Sequence, residues 1–160
     1  MKKNLFIIFS LVAVVTFLMW PSKPMVIDEN LNFTFTSGTK KNISEFQGKP
    51  LLLTFWSINC PVCITEIPKI SKLRKEFYPD LSEVIAVNIP QDPPPAIFQT
   101  IKKFNIDYPV ALDVQGDISK AIGGIKATPF SLLLNKEGKI VYRAYGELNT
   151  QDLRTRIKAL

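Results

Sequence analysis

The chain holds two cysteines, three residues apart in Cys60-Pro61-Val62-Cys63. At the first turn of a helix this spacing brings the Cα atoms to roughly 5–6 Å, inside the range a disulfide spans. Such a pair can open and close without moving the fold. Helix N-termini expose unpaired backbone N–H groups and carry partial positive charge, so a thiolate there is stabilised and its pKa falls. Cys60, the outer cysteine, is the expected attacking sulfur. Pro61 suits the first helical position, where its missing N–H is not needed. The other reading of the pair is a structural staple. In the chain-entropy model a four-residue loop stabilises by only about 2 kcal/mol, against about 4.7 for a loop of 100 residues. The spacing therefore points to redox chemistry.

A strand must deliver this dithiol and a helix must carry it. Leu51 to Phe55, continuing into Trp56, is a run of apolar and β-branched residues fit for a buried strand. After the cysteines, Ile64, Ile67, Ile70, Leu73 and Phe77 recur at helical spacing. Pro68 lies inside that pattern, removes one helical hydrogen bond and predicts a kink. Around this centre, Leu31 to Phe35 alternates as a strand, Ser37-Gly38 marks a turn, and Ile43 to Phe46 reads as a short helical turn. Glu83 to Ile89 is a second buried strand, Pro90 to Pro95 a proline-rich loop, Ala96 to Phe104 a helix and Tyr108 to Leu112 a further strand. Strand and helix in alternation imply a parallel section of sheet. Asp117 to Ile122 is a short helix stopped by Gly123-Gly124. Phe130 to Leu134 and Ile140 to Tyr145, joined through Asn135 to Gly138, read as an antiparallel hairpin. Thr150 is the expected cap of a last helix with Leu153, Ile157 and Leu160 on its inner side.

The 160 residues are 46% hydrophobic and 21% charged, enough for one globular domain with a core. Of the 20 basic residues, Lys2, Lys3 and Lys23 precede that domain, and what remains of the +6 formal charge is too mild to argue for nucleic acid. Lys2 and Lys3, followed by the apolar stretch Leu5 to Trp20, read as a membrane signal-anchor. The stretch is slightly short of the ~20 residues of a usual span, a mismatch that a thin bilayer accommodates. No small-residue cleavage pattern follows at Met19 to Lys23, and no cysteine is available for lipid attachment, so the segment is expected to be retained. Lysines on the cytoplasmic side set the domain outside the cytoplasm. The expected division is residues 1–24 for the anchor and the start of a linker, and 25–160 for the domain.

The order of elements resembles a thioredoxin fold over residues 28–160. Gly48-Lys49-Pro50, Phe55-Trp56, Cys60-Pro61-Val62-Cys63, Glu66 with Pro68, Tyr108-Pro109, Asp113, Thr128-Pro129 and Glu137-Gly138-Lys139 together resemble the membrane-anchored TlpA-like thiol:disulfide oxidoreductases. That group includes the reductants of cytochrome c maturation. The resemblance implies a thioredoxin-like three-layer α/β/α fold with a mixed sheet, preceded by the anchor helix. It implies Cys60 and Cys63 as the catalytic pair. Pro129, with Thr128 before it, matches the cis-proline position that offers backbone to an extended substrate segment. Glu66 matches the acid of the Cys-x-x-Cys-x-x-Glu pattern, one turn after Cys63, where a carboxylate can relay a proton and raise the thiol's pKa; a solvated surface glutamate is the competing reading. Trp56 is expected to pack against the dithiol loop. The sequence also departs from the pattern. Thr54 stands where cytoplasmic thioredoxins carry a buried aspartate, and Asn59 replaces the tryptophan usual before the first cysteine.

The expected chemistry is thiol–disulfide exchange with client proteins, most simply reduction of their disulfides, with a membrane dithiol carrier as electron donor. No cofactor and no resident metal are implied. The same residues also serve an oxidant, because direction follows the reduction potential, from about −270 mV in thioredoxin to about −120 mV in a strong oxidant. Two other classes compete: Cu(I) handling by the two thiolates, without the histidine usual in thioredoxin-like copper chaperones, and a non-catalytic interaction module.

Overall fold

The strand that ends at the dithiol, Leu51–Trp56 (β3), has all six residues buried. Burial on both faces is what a near-continuous apolar run implies, and it requires cover above and below. The computed structural model describes residues 27–78 and 83–160. The anchor expected over residues 1–24 lies outside them. No helix among the described residues is long and apolar enough to cross a membrane.

In chain order the elements are β1 (Asn32–Phe35), β2 (Lys40–Asn42), a 3-10 turn (Ile43–Phe46), β3, α1 (Pro61–Phe77), β4 (Glu83–Asn88), α2 (Pro94–Phe104), β5 (Val110–Leu112), α3 (Asp117–Ala121), β6 (Phe130–Leu134), β7 (Ile140–Tyr145) and α4 (Thr150–Lys158). One sheet contains every strand among the described residues, in the order β2-β1-β5-β4-β3-β6-β7. β3, β4 and β5 run parallel, and the remaining pairings are antiparallel. This is the thioredoxin-like α/β arrangement with a mixed sheet.

Side chains alternate across the sheet, so β3 splits its residues between two cores. Leu52 and Trp56 join the core under α1, α2 and α4, with Ile67, Ile70, Leu73, Ile97, Leu153 and Ile157. Leu51, Leu53 and Phe55 face the opposite core, with Phe33, Phe35, Ile118 and Ile122. Helices therefore cover both faces.

Most boundaries follow the sequence pattern, and the exceptions have local causes. β2 has no apolar signal, because Lys40, Lys41 and Asn42 form an edge strand that meets only β1. α2 starts at Pro94, two residues before the first expected position, since prolines fit a first helical turn. The cap of α4 is Asn149, whose side chain accepts from Asp152 N–H at 3.0 Å; Thr150 is already helical. α1 runs through Pro68 as one element.

Candidate active site

β3 ends at Trp56, and the loop Ser57–Asn59 brings the chain to Cys60, the N-cap of α1. Cys60 and Cys63 are bonded, with S–S 2.06 Å and Cα–Cα 5.2 Å. Cys60 Sγ also accepts from Cys63 N–H at 3.2 Å, so the outer sulfur already rests on a free N–H of the helix start. Pro61 takes the first helical position. Exposure falls from 9% at Cys60 to 3% at Cys63, and Val62 between them is 43% exposed. Cys60 is the more exposed residue of the two.

β6 approaches from the other side. Its register pairs Phe130, the residue after Pro129, with Phe55, the residue before Trp56. The Thr128–Pro129 peptide is cis. Pro129 carbonyl accepts from Gly146 N–H at 2.8 Å, which ties this corner to the end of β7. Trp56 packs in one core with Cys60 and Cys63. Its Nε1 is buried without a hydrogen-bond partner among the described residues.

Glu66 is not a surface residue. It is 1% exposed, and its carboxylate accepts from Leu148 N–H, just before α4. Burial raises its pKa above the usual carboxylate value; Leu148 N–H works against this, Glu147 adds to the rise and Lys69 opposes it. Lys69 and Glu147 form an ion pair above it. Thr54, Trp56, Cys63, Glu66, Ile67, Ile70, Ala86 and Tyr108 enclose a cavity of about 10 Å³, the scale of one water molecule. Tyr108 is likewise shifted upward, first by burial and then by the charges of Asp107 and Glu66. The structure thus brings Cys60, Cys63, Glu66 and Trp56 together, with Thr128 and Pro129 at the adjoining end of β6.

Sequence reasoning passed over one part of the site. Asp92, read only as part of a proline-rich loop, is buried and bonded to Ser57, Ile58 and Asn88. Its partners lie in other elements, so local spacing carries no sign of them.

A family model described as Redoxin matches residues 25–159. The chain belongs to the Redoxin family. Among curated relatives of this Redoxin chain, thiol-disulfide oxidoreductase ResA of Bacillus thuringiensis subsp. konkukian is 30% identical over 131 residues, covering 81% of this chain and 75% of that protein. ResA of Bacillus subtilis is 30% identical over 106 residues, 66% of this chain and 58% of that one. Among solved structures, StoA from Bacillus subtilis aligns with TM-score 0.68 and 25% identity over 84% of this chain and 98% of its own. The exposed lipoprotein thioredoxin Etrx1 of Streptococcus pneumoniae, at 23% identity, shares the fold with TM-score 0.73 over 81% of this chain and 98% of its own. The activity of this Redoxin chain is thiol–disulfide exchange.

Proposed function

We propose that the protein reduces client disulfides on the outer face of a bacterial cytoplasmic membrane, held there by residues 1–24. The observation that carries this reading is the bonded Cys60–Cys63 pair at the start of α1, with the more exposed cysteine first. In the reduced protein, Cys60 thiolate attacks one sulfur of a client disulfide. A Cys60–client bond forms and the other client sulfur leaves as a thiolate, which takes up a proton. Cys63, deprotonated, then attacks Cys60 Sγ, closing the Cys60–Cys63 bond and releasing the second client thiol. Two electrons have passed to the client, and a dithiol donor restores the pair. A membrane dithiol carrier fits this need, since the anchor keeps the domain at the bilayer.

Glu66 is the proton acceptor for Cys63 in this scheme. It lines the same small cavity as Cys63 and has an upward-shifted carboxyl, closer to a thiol in basicity than a free glutamate. Thr128 and Pro129 offer the backbone on which an extended client segment lies, and Trp56 forms the floor between them and the dithiol. The clients fitting the family resemblance are proteins whose cysteines must be reduced before haem attachment, as in cytochrome c maturation.

The test is capture. Cys63→Ala stalls the second step, so cells expressing it should accumulate disulfide-linked adducts on Cys60 that vanish on reduction and are absent from Cys60→Ser, Cys63→Ala. An adduct-free Cys63→Ala protein would sink the mechanism. Direction is read from the reduction potential: a value near about −270 mV fits a reductant, and one near about −120 mV an oxidant. Protease added outside spheroplasts should digest the domain, and carbonate washing should leave the full chain in the membrane.

A further inference from the structure

Among the described residues two aspartates are buried, Asp92 and Asp113. Asp113 is occupied by its own neighbourhood: it accepts from Ile118 N–H, Ser119 N–H and Ser119 Oγ–H and so caps α3. Asp92 instead faces the dithiol loop. Its Oδ1 accepts from Ser57 Oγ–H at 3.0 Å, and its Oδ2 from Ile58 N–H at 2.8 Å and Asn88 Nδ2 at 2.9 Å. Ser57 Oγ accepts in turn from Asn59 N–H at 3.2 Å. Cys60 N–H donates to Ser57 carbonyl, also at 3.2 Å. Every backbone N–H from Ile58 to Cys60 is thus committed to Asp92 or to a residue Asp92 holds.

The anchor is itself fixed. Asp92 N–H donates to Ile89 carbonyl, and Ile89 N–H donates to Trp56 carbonyl at the end of β3. Asn88 turns its amide donor to Asp92 and Trp56 carbonyl, which leaves its own Oδ1 buried and without a partner among the described residues. Donors face the carboxylate from both elements, and none of these three partners is a cation. A negative charge so placed disfavours a second negative charge nearby. Stabilising the thiolate of a dithiol favours its reduced form and makes the pair an oxidant; opposing the thiolate does the reverse. The other titratable groups near the pair, Glu66 beside Cys63 on α1 and Tyr108 just before β5, line the inner cavity.

We propose that Asp92 is the positioning residue of the dithiol: it fixes the Ser57–Asn59 loop that delivers Cys60 to the helix start, and its buried charge holds the pair on the reducing side. The proposal rests on Cys60 being the attacking sulfur. The full chain, solubilised in mild detergent, is equilibrated with dithiothreitol and its cyclic disulfide. Protein disulfide and dithiothreitol exchange two electrons and two protons for protein dithiol and cyclic disulfide. Asp92→Asn keeps an acceptor for Ile58 N–H and loses the charge, so its equilibrium constant should move at least fivefold toward the protein dithiol. Ser57→Ala keeps the charge and loses the link to Asn59. It should stay within twofold of the parent constant while its attack on a small test disulfide slows at least threefold. A parent-like constant in Asp92→Asn overturns the electrostatic half, and a parent-like rate in Ser57→Ala overturns the positioning half. Should Asp92→Asn fail to fold, Asp92→Ser reads the same constant. A parent that does not exchange at all defeats the reading of Cys60 and Cys63, before any variant is compared.

Discussion

At the scale of single residues, the site sets a carboxyl in an apolar wall and lets burial tune it. Glu66 has its pKa raised mainly by burial, so the folded state binds its proton more tightly than the unfolded chain. Its contribution to stability is fully present below the ordinary value of 4.5 and is lost as pH rises through the shifted one. Glu66→Gln retains an acceptor for Leu148 N–H and does not titrate. Its melting temperature relative to the parent should therefore climb between pH 4 and pH 7; a difference constant over that range would show that Glu66 does not titrate there. The same variant should slow closure of the Cys60–Cys63 bond by about 10²-fold, the low end of general acid–base effects, measured as decay of a stopped-flow mixed disulfide. The burial of Glu66 was legible, although the residue type hid it. It stands three residues after Cys63 and four before Ile70, on the stripe that also carries Ile67 and Leu73. Asp92 was not legible in this way, because its bonds reach back to Ser57 and Ile58 across α1 and β4.

At the scale of elements, stability concentrates where a helix meets the sheet. Leu153 of α4 is fully buried in the core that also holds Cys63 and Leu52. Leu153→Ala should cost about 2–5 kcal/mol, read from denaturant midpoints with an unchanged slope. Asn149→Ala at the head of the same helix should cost about 1 kcal/mol, because Asp152 N–H loses its partner. An equal cost for both would mean that α4 is held by its cap rather than by its packing. The sequence marks this helix but misplaces its cap by one residue, since Asn149 and Thr150 are both competent caps and only the backbone distinguishes them. The central strand and the β6–β7 hairpin were readable because β3 is apolar at every position but the β-branched Thr54 and Asn135 to Gly138 carries turn chemistry. β2 was not, because its place in the sheet comes from pairing with β1 and not from its own residues.

For the whole molecule, the bond that does the chemistry closes a loop of sequence separation 3 and ties no two elements together. Its loss should lower the melting temperature by roughly 5 °C, from about 2 kcal/mol of loop entropy in a domain of this size. Calorimetry with and without excess phosphine reductant checks this; a drop beyond about 20 °C would make the bridge a staple of the fold. The sheet has a further property at its margin. β2 ends the sheet on one side with Lys40 and Lys41, both exposed, and an edge strand is where a foreign extended chain would otherwise add itself. An enzyme that exchanges disulfides with client proteins meets other polypeptides at close range. Charged side chains on this edge discourage backbone pairing, so a client brought close by disulfide exchange is not also recruited as an added strand.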